Sequence, residues 1–244
     1  MTILYEGPSL LDGKPIVALM VGEKRKSRNI KTGAMAQVYI LRSDIPPIEA
    51  AKSGEDASIC GACPHRPSTG GSCYVNVGQG PRAIYEAYKK GRYGRVEARI
   101  AGFGLDIRLG AYGDVGAVNA TIWHDLLMFA NSWTGYTHQH QLSVDLKGIN
   151  MASADSRDEA IALQAQGWKT FRIKTPEEPL IRKEILCLNE VTGVKCKDCG
   201  ICDGRTANVA VNIHGPVNKV NKFKLWTIND KISNQNAQPS YETP

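Results

Sequence analysis

An α/β protein is what the sequence predicts: a partial or irregular (β/α) barrel with cysteine-rich loops, with an open doubly wound parallel sheet as the alternative. Three observations lead there. Apolar, β-branched runs of strand length alternate with helical stretches, the pattern of βα units joined by right-handed crossovers. The strings that could carry chemistry (GAYGD, GYTHQH, MASADS and RIKTPEE) come just after strand runs, where such folds put their functional loops. The chain has 244 residues and 42% hydrophobic content, enough to bury a core without disulfide staples.

Taken in order, IVALMVG (16–22) and AQVYILR (36–42) read as strands, joined by the basic, glycine-ended connector 23–33. Residues 43–72 are rich in Pro, Gly and Ser and read mostly as loop. Pro81 suits the first turn of a helix running to about Lys90, with Gly91 as its stop. RVEARIAGF (95–103) and DIRLGAY (106–112) are strand candidates. Between 115 and 130, Val118, Ile122, Leu126 and Phe129 recur at helical spacing. SWTGYTHQ (132–139) and INMASA (149–154) read as strands, and Asp155 or Ser156 can cap the helix DEAIALQAQ (158–166). WKTFRIK (168–174) and NVAVNIHG (208–215) complete the strands. The division expected is one α/β metal-binding domain over 1–230 and a polar, loosely ordered tail over 231–244.

Thirty Lys and Arg against 24 Asp and Glu give a net charge of +6, a mild bias that permits a nucleic-acid partner without requiring one. No run of about 18 apolar residues suggests a membrane span, and the start lacks a charged segment followed by an apolar one. The expected setting is therefore cytoplasmic, in a host cell if the chain is phage-encoded.

The seven cysteines fall into two groups, Cys60, Cys63 and Cys73, then Cys187, Cys196, Cys199 and Cys202. In a reducing compartment, clustered cysteines bind metal or do redox chemistry. The overlapping Cys-x2-Cys-x2-Cys of 196–202 wraps a short chain about one centre, as iron–sulfur ligand runs do, and a [4Fe–4S] cluster is the expected occupant. Zinc is the competitor, since it takes the same thiolates. The first group supplies three thiolates. These could leave one iron of a cluster open, close a zinc site with His65, or share a cluster with the second group.

Ten strings between Asn29 and Gly215, among them CGACPHR (60–66), RLGAYGD (108–114), TGYTH (134–138) and CKDCGICDG (196–204), are together similar to a cysteine-motif family encoded by bacteriophages and related mobile elements. More distantly, the chain resembles radical SAM enzymes. In these, three cysteines after the first strand hold a [4Fe–4S] cluster whose open iron binds S-adenosylmethionine (SAM). The resemblance implies cluster ligation by Cys60, Cys63 and Cys73, with Tyr74 beside the last ligand. It also implies cofactor contact by Gly113 and Asp114, and an auxiliary cluster on the second group. The spacing here is Cys-x2-Cys-x9-Cys rather than that family's Cys-x3-Cys-x2-Cys, and no Pro follows Asp114. A redox partner or a small-molecule substrate is implied, and no membrane.

Other candidates weigh less. His138 and His140 would share one strand face, as metal ligands, a base or simply hydrogen-bonded groups. Ser153, Asp155, Ser156 and Arg157 could hold an anion at a helix start or only cap it. Residues 23–28 and the aromatic, basic stretch 85–95 could contact nucleic acid, which makes a zinc-stabilised nucleic-acid-binding module the alternative function. No dinucleotide, P-loop or serine-hydrolase motif is present.

Overall fold

The computed structural model describes residues 1–23 and 29–236; the basic stretch at 24–28 and the end of the tail at 237–244 lie outside the described residues. Strands β1 (Thr2–Pro8), β2 (Pro15–Val21) and β3 (Ala36–Arg42) come first. Helices α1 (Pro47–Ser53), α2 (Ala57–Cys60) and α3 (Gly80–Lys89) follow, then β4 (Gly94–Arg95), α4 (Ala98–Ala101) and β5 (Asp106–Tyr112). Next are α5 (Ala120–Leu127), β6 (Ser132–Thr134), β7 (Tyr136–Thr137), β8 (Met151–Ala154), α6 (Arg157–Ala165) and β9 (Thr170–Lys174). The chain continues through β10 (Glu184–Leu186), α7 (Leu188–Thr192), α8 (Cys196–Cys199), β11 (Asn208–Asn212) and α9 (Val217–Asn236).

The protein is α/β with two sheets, ordered β4-β1-β2-β3-β5-β6 and β10-β11-β9-β8-β7. Only β1–β2 and β2–β3 pair antiparallel; every other pairing among the described strands is parallel. The two sheets come within one residue of each other at Gly135, between β6 and β7. The Gly135 amide leaves the ladder and donates to the Cys202 carbonyl at 3.1 Å, while its carbonyl accepts from Met151 at 3.0 Å. This is why the continuous strand expected over 132–139 is split: the second cysteine loop takes up the hydrogen bond. A side chain here would also collide with Asn150, whose Oδ1 lies 1.9 Å from where a Cβ would stand.

The main core is built on β2, whose residues Ile16 to Met20 are wholly buried, with Ile40, Leu41, Ile107, Leu109, Trp123 and Leu126 packed around it. Such an unbroken apolar run is expected of a strand covered on both faces. A smaller cluster of Met151, Val209 and Val211 surrounds Cys187 and Cys202.

Several sequence expectations are corrected. The strand expected at 95–103 is two residues of β4 followed by the helical turn α4; the alternation of Val96, Ala98 and Ile100 is misleading because Ile100 is exposed and the segment packs on α5 through Gly102. The helix expected from 115 breaks at Asn119, whose side chain caps α5 by accepting from the Thr121 amide at 2.9 Å. Residues 43–72 are mostly loop, as expected, with the short helices α1 and α2 set into them. The seven-residue β1 and the three-residue β10 are not among the strands expected from the sequence. The polar tail begins inside α9, which runs to Asn236. No helix among the described residues is long and apolar enough to cross a membrane.

Candidate functional site

Strand alternation puts Arg108, Gly110 and Tyr112 on one face of β5, with Thr134 and Tyr136 facing the same way across β6 and β7. Ser153 of β8 and Phe171 and Ile173 of β9 continue this inner face. Together they line a cavity of ≈ 290 Å³. All seven cysteines line the same cavity, and none is in a disulfide. The sequence left open whether the two groups meet; they share one chamber.

The first group sits at the C-terminal ends of the strands. Helix α2 ends on Cys60, and Gly61 turns the chain with φ 55° where Gln139 leaves no room for a side chain. Gln139 Nε2 donates to the Cys60 carbonyl at 3.0 Å, and the Asp114 amide donates to the Ile59 carbonyl at 2.6 Å. The Cys63 amide donates to Cys60 and the Cys73 amide to the His65 carbonyl, at 3.2 and 2.8 Å. Three thiols are thereby fixed above the ends of β3, β5 and β7 by backbone bonds.

Gly113 and Asp114 lie here, as expected, but the geometry gives Asp114 a supporting part. Its Oδ1 accepts from the Gly116 amide and Thr137 Oγ1 at 2.9 and 2.6 Å, and its Oδ2 from the His138 amide at 2.7 Å. Burial raises its pKa, and those donors work against the rise. Tyr74 stands at the mouth, 59% exposed, hydrogen-bonded to Arg108 and near the His214 ring.

The second group is tied to the segment leading into β3. The amides of Cys196 and Lys197 donate to the carbonyls of Lys31 and Thr32 at 3.0 and 3.3 Å. The Cys187 amide bonds to Ala210 at 2.8 Å, and Cys202 holds Gly135 as described. Gly204, at φ 80°, packs against the Asn150 backbone, with 2.6 Å between its Cβ position and the Asn150 carbonyl oxygen. The CxxCxxCxG pattern therefore needs its last glycine for close backbone approach.

Burial pushes the Cys202 thiol up to about 12, Cys60 well above its ordinary value, and Cys73 and Cys196 upward. A cation must displace these protons, so metal uptake by either group strengthens as pH rises. Sulfur spacing bears on the metal. Tetrahedral zinc, with Zn–S bonds near 2.3 Å, would hold four sulfurs about 3.8 Å apart. Among the described residues, no three cysteine sulfurs lie within 4.8 Å of one another. A four-iron cluster binds each thiolate at a different corner and spreads its ligands more widely.

His65 does not complete a zinc site with the first group. Its Nδ1 contacts Ser72 Oγ at 2.6 Å and its Nε2 contacts Asp155 Oδ1 at 2.8 Å. His138 Nε2 reaches the same carboxylate at 3.2 Å, so the ligand atoms of His65, His138 and Asp155 converge. Burial opposes a charged His138, but the Asp155 carboxylate outweighs it and holds the imidazole pKa well above its ordinary value. Burial likewise acts to raise Asp155, yet the two imidazoles keep its carboxyl well below the usual range. Phe223 and Trp226 of α9 cover His65. His140 turns to Glu159 at 3.6 Å, and Ser156 caps α6, so the anion site weighed at 153–157 resolves into a cap and a histidine partner.

Sequence reasoning passed over Arg108, Gln139 and Asn150. The signal for Arg108 was available: a lone cation at a period-two position of a strand whose other residues on that face are Gly110 and Tyr112. The aromatic stretch 85–95 offers little for base stacking, because Tyr85 and Tyr93 are buried and Tyr88 hydrogen-bonds to Glu6.

Comparison of the chain with protein-family models, curated proteins and solved structures found no match. What the fold and site define on their own is an α/β protein with seven free cysteines facing one internal chamber.

Proposed function

We propose that this is an iron–sulfur protein of the radical SAM kind. Cys60, Cys63 and Cys73 would hold a [4Fe–4S] cluster with one iron open, and Cys187, Cys196, Cys199 and Cys202 a second, auxiliary one. The observation that carries this reading is that both thiol groups line one chamber between parallel strands. Among the described residues no cysteine trio is drawn together as closely as a tetrahedral zinc would hold it, which leaves a larger cluster as the better fit. The strand order supports a partial barrel: β3, β5 and β6 run parallel up to Gly135, and β7, β8, β9, β11 and β10 continue parallel beyond it. Four of those strands, counting β6 and β7 as one, turn side chains into the same cavity, which a flat sheet would not do.

Held by Cys60, Cys63 and Cys73, such a cluster would supply the electron that reductive cleavage of SAM requires. The chain's own groups prepare that chemistry. Gly113 permits the turn after β5, Asp114 fixes the ends of β5 and β7, and Gln139 fixes the cysteine loop. Helix α9, through Phe223 and Trp226, shields the His65 side of the loop from water. The zinc-stabilised nucleic-acid module has less support, because the aromatic residues that would stack on bases are buried or bonded.

Protein reconstituted anaerobically and reduced with dithionite is expected to convert SAM to 5′-deoxyadenosine and methionine in equal amounts, and Cys63→Ala to abolish this. Intact SAM after incubation with a reduced protein carrying both clusters would contradict the enzymatic reading and leave an electron carrier.

A further inference from the structure

Arg108 is a cation placed where the fold alone gives it little to do. It faces the chamber from the middle of β5, beside Tyr74, Tyr136 and Cys196, and it is half-buried. The buried arginines are matched to carboxylates: Arg172 grips Glu184 at 2.7 and 3.0 Å, and Arg42 meets Glu55 at 2.6 Å and Asp44 at 2.9 Å. Among the described residues Arg108 makes no ion pair. Asp106, the carboxylate nearest in sequence, turns to Lys197 instead at 3.4 Å. A half-buried guanidinium with no carboxylate against it can pair with an incoming oxyanion.

The surroundings suit a ligand rather than a structural partner. Gly110, at φ 62°, lines the cavity beside Arg108. Phe171, Ile173 and Ile201 form an apolar wall. Tyr112, four residues further along the strand, lies toward Cys60, whereas Arg108 lies toward Cys196. Because β5 bulges here, Arg108 and Tyr112 pair with Gln37 and Tyr39 and stand about 7 Å apart along the sheet, the length of an aromatic ring with its anionic substituent.

We propose that the chamber binds a small organic substrate bearing a carboxylate or phosphate, with Arg108 gripping the oxyanion near the second cysteine group and the apolar body lying along Phe171 and Ile173 toward the first. This deepens the iron–sulfur reading and rests on it for the chemistry, though not for the binding. A guanidinium fork matches either oxyanion bidentately, and Lys would keep the charge without the fork.

The test uses full-length, anaerobically reconstituted protein with benzoate and phenyl phosphate as probes and benzamide as the neutral control, followed by calorimetry. Iron content and SAM affinity are measured alongside. One or both anions are expected to bind, and Arg108→Gln to weaken that binding about tenfold or more, as loss of a charge-assisted hydrogen-bond pair requires. Arg108→Lys should recover part of it, and benzamide should bind the wild type and Arg108→Gln alike. Iron content and SAM affinity should not change. Neither anion binding to cluster-loaded wild type, or equal binding by Arg108→Gln, would overturn the proposal. So would Arg108→Gln losing iron or SAM affinity while keeping the probes, since Arg108 would then serve the thiolates or the cofactor. Protein that takes up no iron yet binds the anions through Arg108 would uphold this inference and remove the function above.

Discussion

Replacing Cys202 with Ala is expected to remove about half of the bound iron, the share of one four-iron cluster of two, and to lower the thermal midpoint of the loaded protein by more than 10 °C. The two effects have one cause. Cys202 is buried, and its carbonyl holds the Gly135 amide at the break between the sheets, so the loop that presents its sulfur also joins the two halves of the strand array. Metal binding to such a loop adds directly to folding free energy, and structural thiolate sites contribute on the order of 10 kcal/mol. In metal-free protein the same substitution removes only a small buried thiol and should cost about 1 kcal/mol. Comparing thermal midpoints with and without iron therefore separates ligand from packing. A Cys202→Ala protein that retains full iron would exclude this residue as a ligand.

The second large effect is expected at Gly113. Its φ is 80°, and a Cβ there would lie 2.5 Å from the Ile40 carbonyl oxygen and 2.8 Å from the Ile40 Cβ. Backbone strain and the enforced shift of β3 against β5 together should cost about 3 kcal/mol in Gly113→Ala. For a chain of this size that is a fall of about 6–12 °C in the thermal midpoint. Gly91→Ala is the control: its φ is 65°, but nothing lies within 4 Å of the added Cβ, so only the strain remains. A midpoint for Gly113→Ala equal to that of Gly91→Ala would show that β3 yields freely. The first cysteine loop would then not be rigidly set on the strand ends.

How much of this could be read beforehand differs by type of signal. Strands β2, β3, β5, β8, β9 and β11 were legible because each carries at least four residues of apolar or alternating pattern between turn signals. Strands β6 and β7 were legible only as a single run, because the break at Gly135 comes from a hydrogen bond to a residue 67 positions later. The expected strand at 95–103 failed because alternation alone does not separate an edge strand from a short helical turn.

In the site, the cysteines were evident from spacing, and Gly113 and Asp114 from their place after β5. The convergence of both thiol groups was not legible, since 113 residues without a cysteine separate Cys73 from Cys187 and only the tertiary fold closes that gap. Asp155 looked like a helix cap; its carboxylate instead joins two imidazoles from distant loops, His65 and His138. Arg108 stood in the sequence as a lone cation on one face of a strand, but that it makes no ion pair among the described residues is a property of the packed structure.

The most direct test of the central claim is iron and acid-labile sulfide analysis of full-length protein prepared anaerobically, with the absorption spectrum. The account predicts about eight irons and eight sulfides per chain, a brown colour and broad absorption near about 400 nm that bleaches on reduction. A colourless protein carrying stoichiometric zinc and no sulfide would contradict it.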